Sequence, residues 1–533
     1  MMRRENFLET EGEVFFYLRD NVVIEPLVEH WYAWHYLLSP VARSFFMRKN
    51  RKQLRSFLKH PEFHSSISSG KVGTVRLSVD DVFSVKQYLD STQQLESQQE
   101  QLVSAVEKLD DLVLQFRGDS LEPLYQEIPF ELKGRTELFY DRNQSGSYRL
   151  FENAFEGIFD RCESVLFTLK TDYIKRPPVF NTPRLTCHEG QFLINIDFKD
   201  KILDKIFESR QAPIDFNKLC REMKLTDEEK QKFRKFFTSE YREKELSEPD
   251  GGKIRYFGHA TLLIETASES LLIDPWIQNE SFEKDGKNSY SLSDLPTHID
   301  YVVITHGHAD HFNIETLLQI RHKVGQIIIP KSSGDMIEDP SLAKILKQIG
   351  FGNVVEVEPF EKIHGSTFQL HTIPFLGEHG DLRVDAKSSY YIETDSEQLL
   401  ILSDSKFIQE EIYQYLFKHS LKVSKMFVGM ECEGAPYTWL YEPILNQGYQ
   451  PEYAKNRRLT GCNCNETEQL IQLINPDFVF VYAMGLEPWL EYLTGKPASF
   501  DDYIVREYKH LEEKMFQEGR SIKLLYWSEE ISI

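Results

Sequence analysis

The chain of 533 residues is 41% hydrophobic and 13% aromatic, which is enough for two or three packed domains and excludes a wholly disordered protein. Its 84 acidic residues outnumber 62 basic ones and give a formal net charge of −22, which repels phosphate backbones and argues against nucleic acid as a partner. Its six cysteines are too few and too scattered for a disulfide scaffold.

No targeting or membrane segment is expected. The sequence begins MMRRENFLETEGEVFF, in which charges occur throughout and the apolar core of a signal peptide is missing. No run approaches the roughly 18 apolar residues that a membrane-spanning helix requires. We therefore expect a cytoplasmic protein without a membrane partner.

The first region, up to about residue 120, is predicted to be largely helical. Residues 26–40 (PLVEHWYAWHYLLSP) form an aromatic-rich amphipathic stretch bounded by prolines. Residues 85–116 place apolar side chains at helical spacing, namely Leu95, Leu102, Val106, Leu109 and Val113. Such a stripe indicates a core face or a subunit contact rather than a cofactor site.

Residues 121–250 are predicted to mix helices and strands. The end of this region, residues 212–242, resembles two short helices of a winged-helix-like unit. In a protein this acidic, such a unit is expected to pack or to dock a protein rather than to read DNA. The polar run REKELSEPDGG (242–252) then predicts a linker, so that an N-terminal mixed α/β domain would occupy residues 1–250.

Short apolar runs alternate with turns from residue 253 onwards and predict strands, with two helical segments between them. The strand runs are KIRYFGHATLLIET, SLLIDPWI, IDYVVITHGH, VGQIIIP, NVVEVEP, LLILSDS and DFVFVYAMG, and the helical runs are HFNIETLLQIRHK and SLAKILKQIG. This alternation indicates a two-sheet sandwich with helices covering both faces. The predicted fold class is therefore α/β, with the sandwich in residues 251–533.

A cluster of potential metal ligands follows the apolar run YVVI. In THGHADHFN, His306 and His308 are two residues apart, so both rings can point to one metal from an extended turn. Asp310 and His311 follow at the start of the next helix and can reach a second metal nearby. Imidazole suits zinc, iron, copper and nickel, whereas carboxylates favour harder ions. This pattern at the end of a buried strand indicates a metal site rather than a polar loop.

HGHADH resembles the H-x-H-x-D-H signature of the metallo-β-lactamase superfamily. The upstream runs YFGHATLLIE and LLIDPWI resemble the paired first strands of that fold, and the resemblance extends over roughly residues 253–533. It implies that Asp274 is a supporting carboxylate that orients a metal-bound imidazole rather than a ligand itself.

The later ligands depart from the pattern of the zinc hydrolases in this superfamily, which supply a third His, a bridging Asp and a final His. Glu378 and His379 in PFLGEHGDLRVD compete for the first of these positions, and Asp404 in LLILSDS matches the bridge. The loop after DFVFVYAMG, where the final His is expected, contains none. A site with fewer imidazoles and more carboxylate is suited to iron and O2 rather than to zinc-bound hydroxide.

A narrower family fits these departures. The whole chain resembles the diiron β-hydroxylases of non-ribosomal peptide pathways, among them that of chloramphenicol biosynthesis. The resemblance lies in the length, in a long N-terminal domain before the sandwich, in THGHADH, in GEHG at the third-ligand position and in LSDS at the bridge.

The resemblance implies a set of metal ligands and a reaction. The ligands would be His306, His308 and Glu378 at one iron, Asp310 and His311 at the other, and Asp404 as the bridge, with His379 behind them. The reaction would use O2 to hydroxylate the β-carbon of an amino acid held as a thioester on a carrier protein. Two external electrons are needed, so an electron-donating reductase is an expected partner, and the N-terminal domain would form a homodimer and dock the carrier protein.

The loop VGMECEGAPYTWLYEP (428–443) is a candidate for the substrate entrance. Glu431 and Trp439 would line the pocket there, although a structural role for each is equally open. Cys462 and Cys464 form a C-x-C pair without a second pair, which indicates a structural or incidental role.

Two other functions stay open at the level of sequence. A zinc-dependent hydrolase or lactonase of the same fold would use metal-bound hydroxide and would turn over without O2. A non-catalytic scaffold with structural metal would bind a carrier protein without any turnover. Neither the amino acid nor the position that is hydroxylated follows from the residues, because pockets of this fold are built from loops.

Overall fold

The computed structural model describes residues 15–67, 75–170, 178–180, 182–240, 252–334, 336–417, 422–446, 452–495 and 499–532. The predicted linker, apart from Gly252, and the first 14 residues lie outside these ranges. The domain boundary at residue 250 and the roles of the two predicted domains therefore stay predictions. Among the described residues, no helix is both long enough and apolar enough to cross a bilayer.

The region before residue 241 contains one four-stranded sheet, one three-stranded sheet and a hairpin. Its strands are β1 (Phe15–Leu18), β2 (Val22–Val28), β3 (Trp31–Tyr32), β4 (Thr136–Tyr140), β5 (Gly146–Leu150), β6 (Glu163–Leu169), β7 (Gln191–Asn195), β8 (Ile214–Asp215) and β9 (Phe237–Thr238). Its α-helices are α1 (Ala33–Tyr36), α2 (Pro40–Lys59), α3 (Pro61–Ile67), α4 (Val82–Ser91), α5 (Gln93–Gln115), α6 (Lys201–Glu208), α7 (Phe216–Glu222) and α8 (Asp227–Arg234). The sheet orders are β3-β2-β6-β7 and β8-β1-β9, and β4 pairs with β5.

Residues 26–40, the amphipathic stretch in the region predicted to be largely helical, are mostly not helical. The segment starts inside β2 and continues through β3, and only α1 and the first residue of α2 are helical. Glu29 and His30 have φ values of 52° and 68°, which make the turn between the two strands. β2 pairs along its whole length with β6 and is buried at every position, so tertiary pairing overrides the amphipathic pattern of the segment.

The predicted helical stripe over residues 85–116 is confirmed. It forms α4 and α5, which meet at Thr92. Leu95 is half-buried, and the other four stripe residues are fully buried, namely Leu102, Val106, Leu109 and Val113. They pack in one cluster with residues of α2 and of the β4–β5 hairpin, so the stripe is a core face.

The predicted pair of short helices in residues 212–242 is present as α7 and α8. A capping box begins α8, in which the Thr226 hydroxyl accepts from the backbone N–H of Glu229 and the Glu229 carboxylate accepts from that of Thr226. β8 precedes the two helices and β9 follows them, and both strands pair with β1, the first described strand. Its role in docking a protein stays a prediction.

The region from residue 252 contains two seven-stranded sheets. Its strands are β10 (Lys253–Gly258), β11 (Thr261–Glu265), β12 (Ser270–Ile273), β13 (Glu283–Lys284), β14 (Lys287–Asn288), β15 (Ile299–Val303), β16 (Val324–Pro330), β17 (Val354–Val357), β18 (Lys362–His364), β19 (Phe368–Pro374), β20 (Ser388–Thr394), β21 (Gln398–Ser403), β22 (Lys425–Gly429), β23 (Ala435–Pro436), β24 (Arg458–Leu459), β25 (Phe478–Tyr482), β26 (Ile522–Leu524) and β27 (Glu529–Ser532). Its α-helices are α9 (Ile314–Ile320), α10 (Leu342–Gln348), α11 (Glu410–Phe417), α12 (Thr438–Tyr441), α13 (Tyr453–Asn456), α14 (Cys464–Ile474), α15 (Glu491–Thr494) and α16 (Tyr503–Gln517). The sheet orders are β17-β16-β15-β12-β11-β10-β27 and β18-β19-β20-β21-β22-β25-β26.

The two sheets face each other and carry helices on their outer faces, which confirms the predicted αββα sandwich. Inner-face side chains form one cluster, for example Ile264 and Val303 of the first sheet with Ile401 and Phe427 of the second. α9 and α10 pack outside the first sheet, and α14 and α16 pack outside the second. Because both faces are covered, the central strands are continuous apolar runs rather than alternating ones.

The N-terminal and C-terminal regions share one hydrophobic core. A single cluster contains Val22 and Trp31 from the N-terminal sheet and Leu317 from α9. The buried Arg210 adds polar contacts across the same junction, because its guanidinium donates to the backbone carbonyls of Arg19 and Val22 and to the side chain of Gln319 in α9. Residues near the start of the described chain therefore pack directly against the sandwich.

Candidate metal centre

The ends of several strands converge at one edge of the two sheets. Asp274 follows β12, residues 306–311 follow β15, Glu378 comes after β19, and Asp404 follows β21. β12 and β15 are parallel neighbours, so their carboxyl ends open at the same edge. Loops after buried strands thus present all of the predicted ligands.

The first cluster, here called the enclosed group, consists of His306, His308 and Glu378. One potential ligand atom from each residue lies within 4.8 Å of the others, and all three residues are buried. His308 Nδ1 is 2.7 Å from Glu378 Oε1, and His306 Nε2 is 3.8 Å from Glu378 Oε2. Two imidazoles and one carboxylate at this spacing can hold one metal ion.

The second cluster, here called the open group, consists of His259, Asp310 and His311, whose potential ligand atoms also lie within 4.8 Å of one another. His259 Nε2 is 3.3 Å from Asp310 Oδ2, and His311 Nε2 is 3.8 Å from the same oxygen. The side chain of Asp310 is 33% exposed, whereas that of His308, the most exposed in the enclosed group, is 11% exposed. The open group therefore reaches solvent on one side.

Asp404 lies between the two groups. Its Oδ2 is 3.2 Å from His311 Nε2, and it forms a third set with His306 and His311 whose ligand atoms lie within 4.8 Å. It thus approaches one member of each group, and its two oxygens can serve two metals. β22 passes close by at Gly429, where an added Cβ would lie 2.6 Å from the Ser403 carbonyl oxygen and 2.7 Å from Asp404 Oδ1.

His259 is a potential ligand that the sequence interpretation missed. It lies in the tight turn between β10 and β11, where Gly258 and His259 both have positive φ. The loop after β25, in which a final His was expected, instead donates to this residue. The backbone N–H of Ala483 is 2.9 Å from its carbonyl oxygen, and that of Gly485 is 3.3 Å from its Nδ1. The signal that could have found it is the tripeptide GHA at the end of an apolar strand.

Asp274 and Thr305 fix the orientation of two imidazoles. Asp274 is fully buried and accepts from the backbone N–H of Thr305 at 2.7 Å and from its hydroxyl at 2.6 Å. His311 Nδ1 lies 3.0 Å from Asp274 Oδ2, and His306 Nδ1 lies 3.0 Å from the Thr305 hydroxyl. These contacts engage the Nδ1 atoms, so the Nε2 atoms of both rings face the centre.

His379 belongs to neither metal group. Its Nδ1 is 2.6 Å from Glu378 Oε2, and its ring stacks on that of His308 with 4.5 Å between centroids and 16° between planes. Of the two competing residues, Glu378 is the one that lies among the potential ligands. Its assignment as a ligand stays a prediction that this geometry favours.

Burial and charge determine the protonation of these groups without a bound ion. Burial and the neighbouring imidazoles hold the pKa of His306 well below its usual range. Burial also opposes a charge on His311, but the carboxylates led by Asp404 outweigh it and raise the pKa of this residue well above its usual range. Burial opposes a charge on Glu378, but the interactions of its carboxylate with His308 and His379 outweigh this effect and hold its pKa below the usual range. Metal binding must therefore displace a proton from His311.

Unsatisfied polar atoms mark the place between the groups. Among the described residues, five buried atoms of the two groups and Asp404 make no hydrogen bond, namely His259 Nε2, His306 Nε2, His311 Nε2, Glu378 Oε2 and Asp404 Oδ1. Because leaving a buried polar atom unpaired costs about 1–3 kcal/mol, this concentration at the centre indicates a ligand that satisfies them. The two groups and Asp404 together offer four imidazoles and three carboxylates. This donor set fits two divalent ions with open positions, iron included.

Four residues around the centre are non-glycines with positive φ, which are His259 (50°), Asp274 (43°), Glu378 (70°) and Ser403 (52°). Each such conformation costs about 1–3 kcal/mol and persists only when the surrounding structure enforces it. Each of the four residues lies at the end of a strand or in a turn, and each is a potential ligand, orients one or lies next to one. The surrounding packing therefore holds these turns in place.

The predicted entrance loop reaches the centre through a different residue from those expected. Trp439 is 37% exposed and packs on Phe180 with 6.3 Å between ring centroids. Glu431 is half-buried and belongs to neither metal group. Tyr441, two positions after Trp439 at the end of α12, places its hydroxyl 3.3 Å from His308 Nε2.

Cys462 and Cys464 are both buried. Cys462 Sγ donates to the carbonyl oxygen of Ser405 at 3.3 Å, and burial raises the pKa of its thiol to about 12. Cys464 begins α14, and both residues belong to the cluster outside the second sheet. Both pack as small apolar side chains.

Two facing sheets with outer helices, and a ligand-rich loop at the end of a parallel strand, define a metalloprotein of the metallo-β-lactamase fold. A family model of the β-lactamase superfamily domain matches residues 253–404. A metal-dependent hydrolase from Staphylococcus haemolyticus is 28% identical over 169 residues, which are 30% of this chain and 68% of that protein.

Other matches extend over the whole chain. A family model of the diiron non-heme β-hydroxylase N-terminal domain matches residues 17–241. The 4-amino-L-phenylalanyl-[CmlP-peptidyl-carrier-protein] 3-hydroxylase of Streptomyces venezuelae is 31% identical over 518 residues, which are 93% of this chain and 96% of that enzyme. The crystal structure of CmlA, a diiron β-hydroxylase from Streptomyces venezuelae, matches with a TM-score of 0.90 and 28% identity, over 98% of this chain and 100% of that one. The chain therefore belongs to the diiron non-heme β-hydroxylases.

Membership of this family confirms the predicted class of enzyme. The protein is an oxygenase of the diiron type, for which two iron ions and O2 are the cofactor and co-substrate. The zinc-hydrolase alternative loses support, because the hydrolase relative covers less than a third of the chain while the hydroxylase covers nearly all of it.

Proposed function

We propose that this enzyme inserts one oxygen atom from O2 at the β-carbon of an aminoacyl group that is held as a thioester on a carrier protein. One observation carries the proposal, namely the match over nearly the whole chain to a relative that hydroxylates position 3 of a carrier-bound amino acid. Position 3 of an amino acid is its β-carbon.

In this proposal the enclosed group would hold one iron, Asp310 and His311 would hold the other, and Asp404 would serve both. The distances between ligand atoms and the unpaired buried atoms at the centre support this assignment. His259 lies 3.3 Å from Asp310 and orients its carboxylate. Asp274 contacts Nδ1 of His311 and so orients this imidazole from the side that faces away from the metal centre.

Bound iron would supply the activation of O2, which protein side chains do not provide. The reaction balances when a C–H bond becomes C–OH, the second oxygen atom leaves as water, and two electrons and two protons are consumed. We assign the electrons to an external donor, which would be a reductase. The chain itself holds the ions in the pattern described above, and the burial of the enclosed group keeps bulk water away from that side.

The partner proteins are also part of the proposal. We propose that the N-terminal region docks the carrier protein and forms a homodimer, and that the enzyme works in the cytoplasm. The observation in favour of a carrier protein is the substrate of the relative. Light scattering of the purified protein, alone and with a loaded carrier protein, measures both associations.

The first experiment determines the metal and then the reaction. Protein from iron-supplemented cells is expected to contain about two irons per chain and to show visible bands that bleach on reduction and return with O2. A carrier protein loaded with an amino acid, together with reductant and isotopically labelled O2, should then yield a product that contains one labelled oxygen. The variant Asp404→Asn, which removes the proposed bridging charge, serves as the inactive control. Zinc that persists in a colourless protein, or ester hydrolysis without O2, contradicts the proposal.

A further inference from the structure

The two ring nitrogens of His308 face in opposite directions. Nδ1 lies 2.7 Å from Glu378 Oε1 and so faces the interior of the enclosed group, whereas Nε2 lies 3.3 Å from the hydroxyl of Tyr441. Both His308 and Tyr441 are buried. In the part of the chain that the structure describes, the Tyr441 hydroxyl is the hydrogen-bonding partner of this outer nitrogen.

The other two imidazoles of the same loop are oriented differently. Nδ1 of His306 contacts the hydroxyl of Thr305, and Nδ1 of His311 contacts the carboxylate of Asp274, so both rings turn Nε2 towards the centre. The ring of His308 has the reverse orientation. A group that fixes the orientation of this third ring must therefore act at Nε2.

The surroundings of Nε2 make a polar partner necessary. Trp34, Phe46 and Leu440 line one largely apolar cavity together with His308 and Tyr441. A metal bound at Nδ1 leaves the ring proton on Nε2, and a buried N–H group that faces apolar side chains without a partner is costly. The hydroxyl oxygen of Tyr441 can accept from this N–H group and so favours the tautomer that leaves Nδ1 free for a metal.

The segment that carries Tyr441 also contacts the turn that carries Glu378. Residues 435–441 and 457–459, here called the bracing unit, contain β23, α12 and β24, and β23 pairs with β24. From this unit, Arg457 Nε donates to the carbonyl oxygen of Gly380 at 2.7 Å. The guanidinium of Arg457 also lies over the ring of Tyr437, 4.2 Å from its centroid.

The turn around Glu378 depends on such contacts. Gly377, Glu378, Gly380 and Asp381 have φ values between 59° and 78°, and left-handed residues that are not glycine persist only when the surrounding structure enforces them. A Cβ added at Gly380 would overlap that of Tyr437, so the bracing unit packs directly on this turn. The bracing unit therefore supports two potential ligands of the enclosed group.

We propose that Tyr441 and Arg457 are positioning residues of the enclosed group. Tyr441 acts through the imidazole of His308. Arg457 acts through the carbonyl oxygen of Gly380 and so through the turn that carries Glu378. The inference rests on the ligands proposed above. Loss of such a supporting partner lowers metal affinity by about 10- to 100-fold, and this loss should be confined to the enclosed group.

The first test removes the tyrosine hydroxyl. Tyr441→Phe keeps the aromatic ring in the wall and deletes the acceptor for His308. Its control is Tyr391→Phe, which deletes the hydroxyl of another buried tyrosine, one that donates to the carbonyl oxygen of Lys422 at 3.1 Å. The melting temperature of each variant is measured first, so that a general loss of stability is recognised.

The second test removes the guanidinium and does not depend on the folding of the first variant. Arg457→Met deletes the hydrogen bond to the carbonyl oxygen of Gly380. Its control is Arg458→Met at the next position, where the guanidinium donates to the carbonyl oxygens of Glu433 and Gly434 within the same part of the chain. The comparison separates the contact with the turn from the stability of the bracing unit.

The probe is Co²⁺, which is titrated into the metal-free protein in competition with a chelator of known affinity. The visible bands of Co²⁺ report the geometry of its ligands. The unchanged protein should bind two ions in two steps, and Glu378→Gln, which lacks a proposed ligand, identifies the step of the enclosed group. Tyr441→Phe and Arg457→Met should each weaken this step by about 10- to 100-fold and change its band, while the other step and both controls stay unchanged.

The outcomes separate this inference from the proposed function, because the titration requires no turnover. An unchanged step in both test variants overturns the inference even if the enzyme hydroxylates its substrate, and an unchanged step in one variant overturns the role of that residue. Equal weakening of both steps, or an equal loss in the controls, indicates a structural role and also overturns it. If the step of the enclosed group weakens as expected but no carrier-bound amino acid is hydroxylated, the positioning roles stand and the proposed reaction fails.

Discussion

Each metal group takes two residues from the loop after β15, but the two groups lie in different surroundings. The enclosed group is buried and is backed by His379 and Tyr441. A largely apolar cavity of about 50 Å³, lined in part by Trp34 and Phe46, lies behind these residues. The open group is backed by the turn between β10 and β11 and includes Asp310, the side chain of which is one-third exposed. The difference indicates that solvent and ions exchange more readily at the open group than at the enclosed group.

Removal of the metal should have the largest effect and tests whether the groups differ in this way. Chelation is expected to abolish turnover and to lower the melting temperature, since an ion at 1,000 times its Kd stabilises by about 4 kcal/mol. The iron of the open group should leave first because Asp310 is accessible. Iron content followed over time, with calorimetry, measures both effects. Loss of both ions at the same rate would contradict the proposed difference in accessibility between the two groups.

Glu378→Gln should have the next largest effect. The variant keeps the shape of the side chain but loses the charge that holds the iron of the enclosed group. Loss of a merely supporting partner lowers affinity or activity by about 10- to 100-fold, so loss of a ligand should lower kcat/KM by more than about 100-fold. The iron content should fall towards one per chain. The exposed Glu356→Gln is the control, and a variant with full iron and activity would contradict the assignment.

Gly429→Ala should act on both groups at once. The new methyl group would lie 2.6 Å from the Ser403 carbonyl oxygen and 2.7 Å from Asp404 Oδ1, so the bridging carboxylate must move. We expect the free energy of unfolding to fall by about 1–3 kcal/mol and the iron of both groups to be held less tightly. Gly352→Ala, where nothing lies within 4 Å of the added atom, is the control. Selective loss of one iron would show that Asp404 serves one group alone.

His259→Ala should have the smallest effect and should be confined to the open group. Loss of the imidazole that orients Asp310 is expected to lower the affinity for one iron about tenfold and to leave the other unchanged. Competition with a chelator of known affinity measures this effect. His298→Ala, a histidine with a side chain that is 63% exposed, is the control. Equal weakening of both irons would place His259 outside the open group.

Local patterns made most of the sandwich and of the site predictable. Strands buried on both faces are apolar runs, and the H-x-H-x-D-H spacing by itself brings His306, His308, Asp310 and His311 together. Asp404 was recognisable because it ends such a run.

The residues that escaped prediction are those whose position depends on distant parts of the chain. His259 joins the site only because its turn meets the loop after β25. Trp34 and Phe46 line the cavity only because the N-terminal region packs against the sandwich. Long-range pairing with β6 likewise places residues 26–28, in the region predicted to be largely helical, in a strand.

The core shared by Val22, Trp31 and Leu317 makes the two regions one thermodynamic unit. Protein modules that recombine freely in evolution carry separate cores and can be exchanged without exposing apolar surface. This chain lacks that modularity among its described residues, because the sandwich without its N-terminal partner would expose one face of α9 and open the cavity wall. A graft of the loop after β15 into a shorter relative of the same fold would therefore transfer His306, His308, Asp310 and His311 but not the apolar wall that the N-terminal region packs beside them.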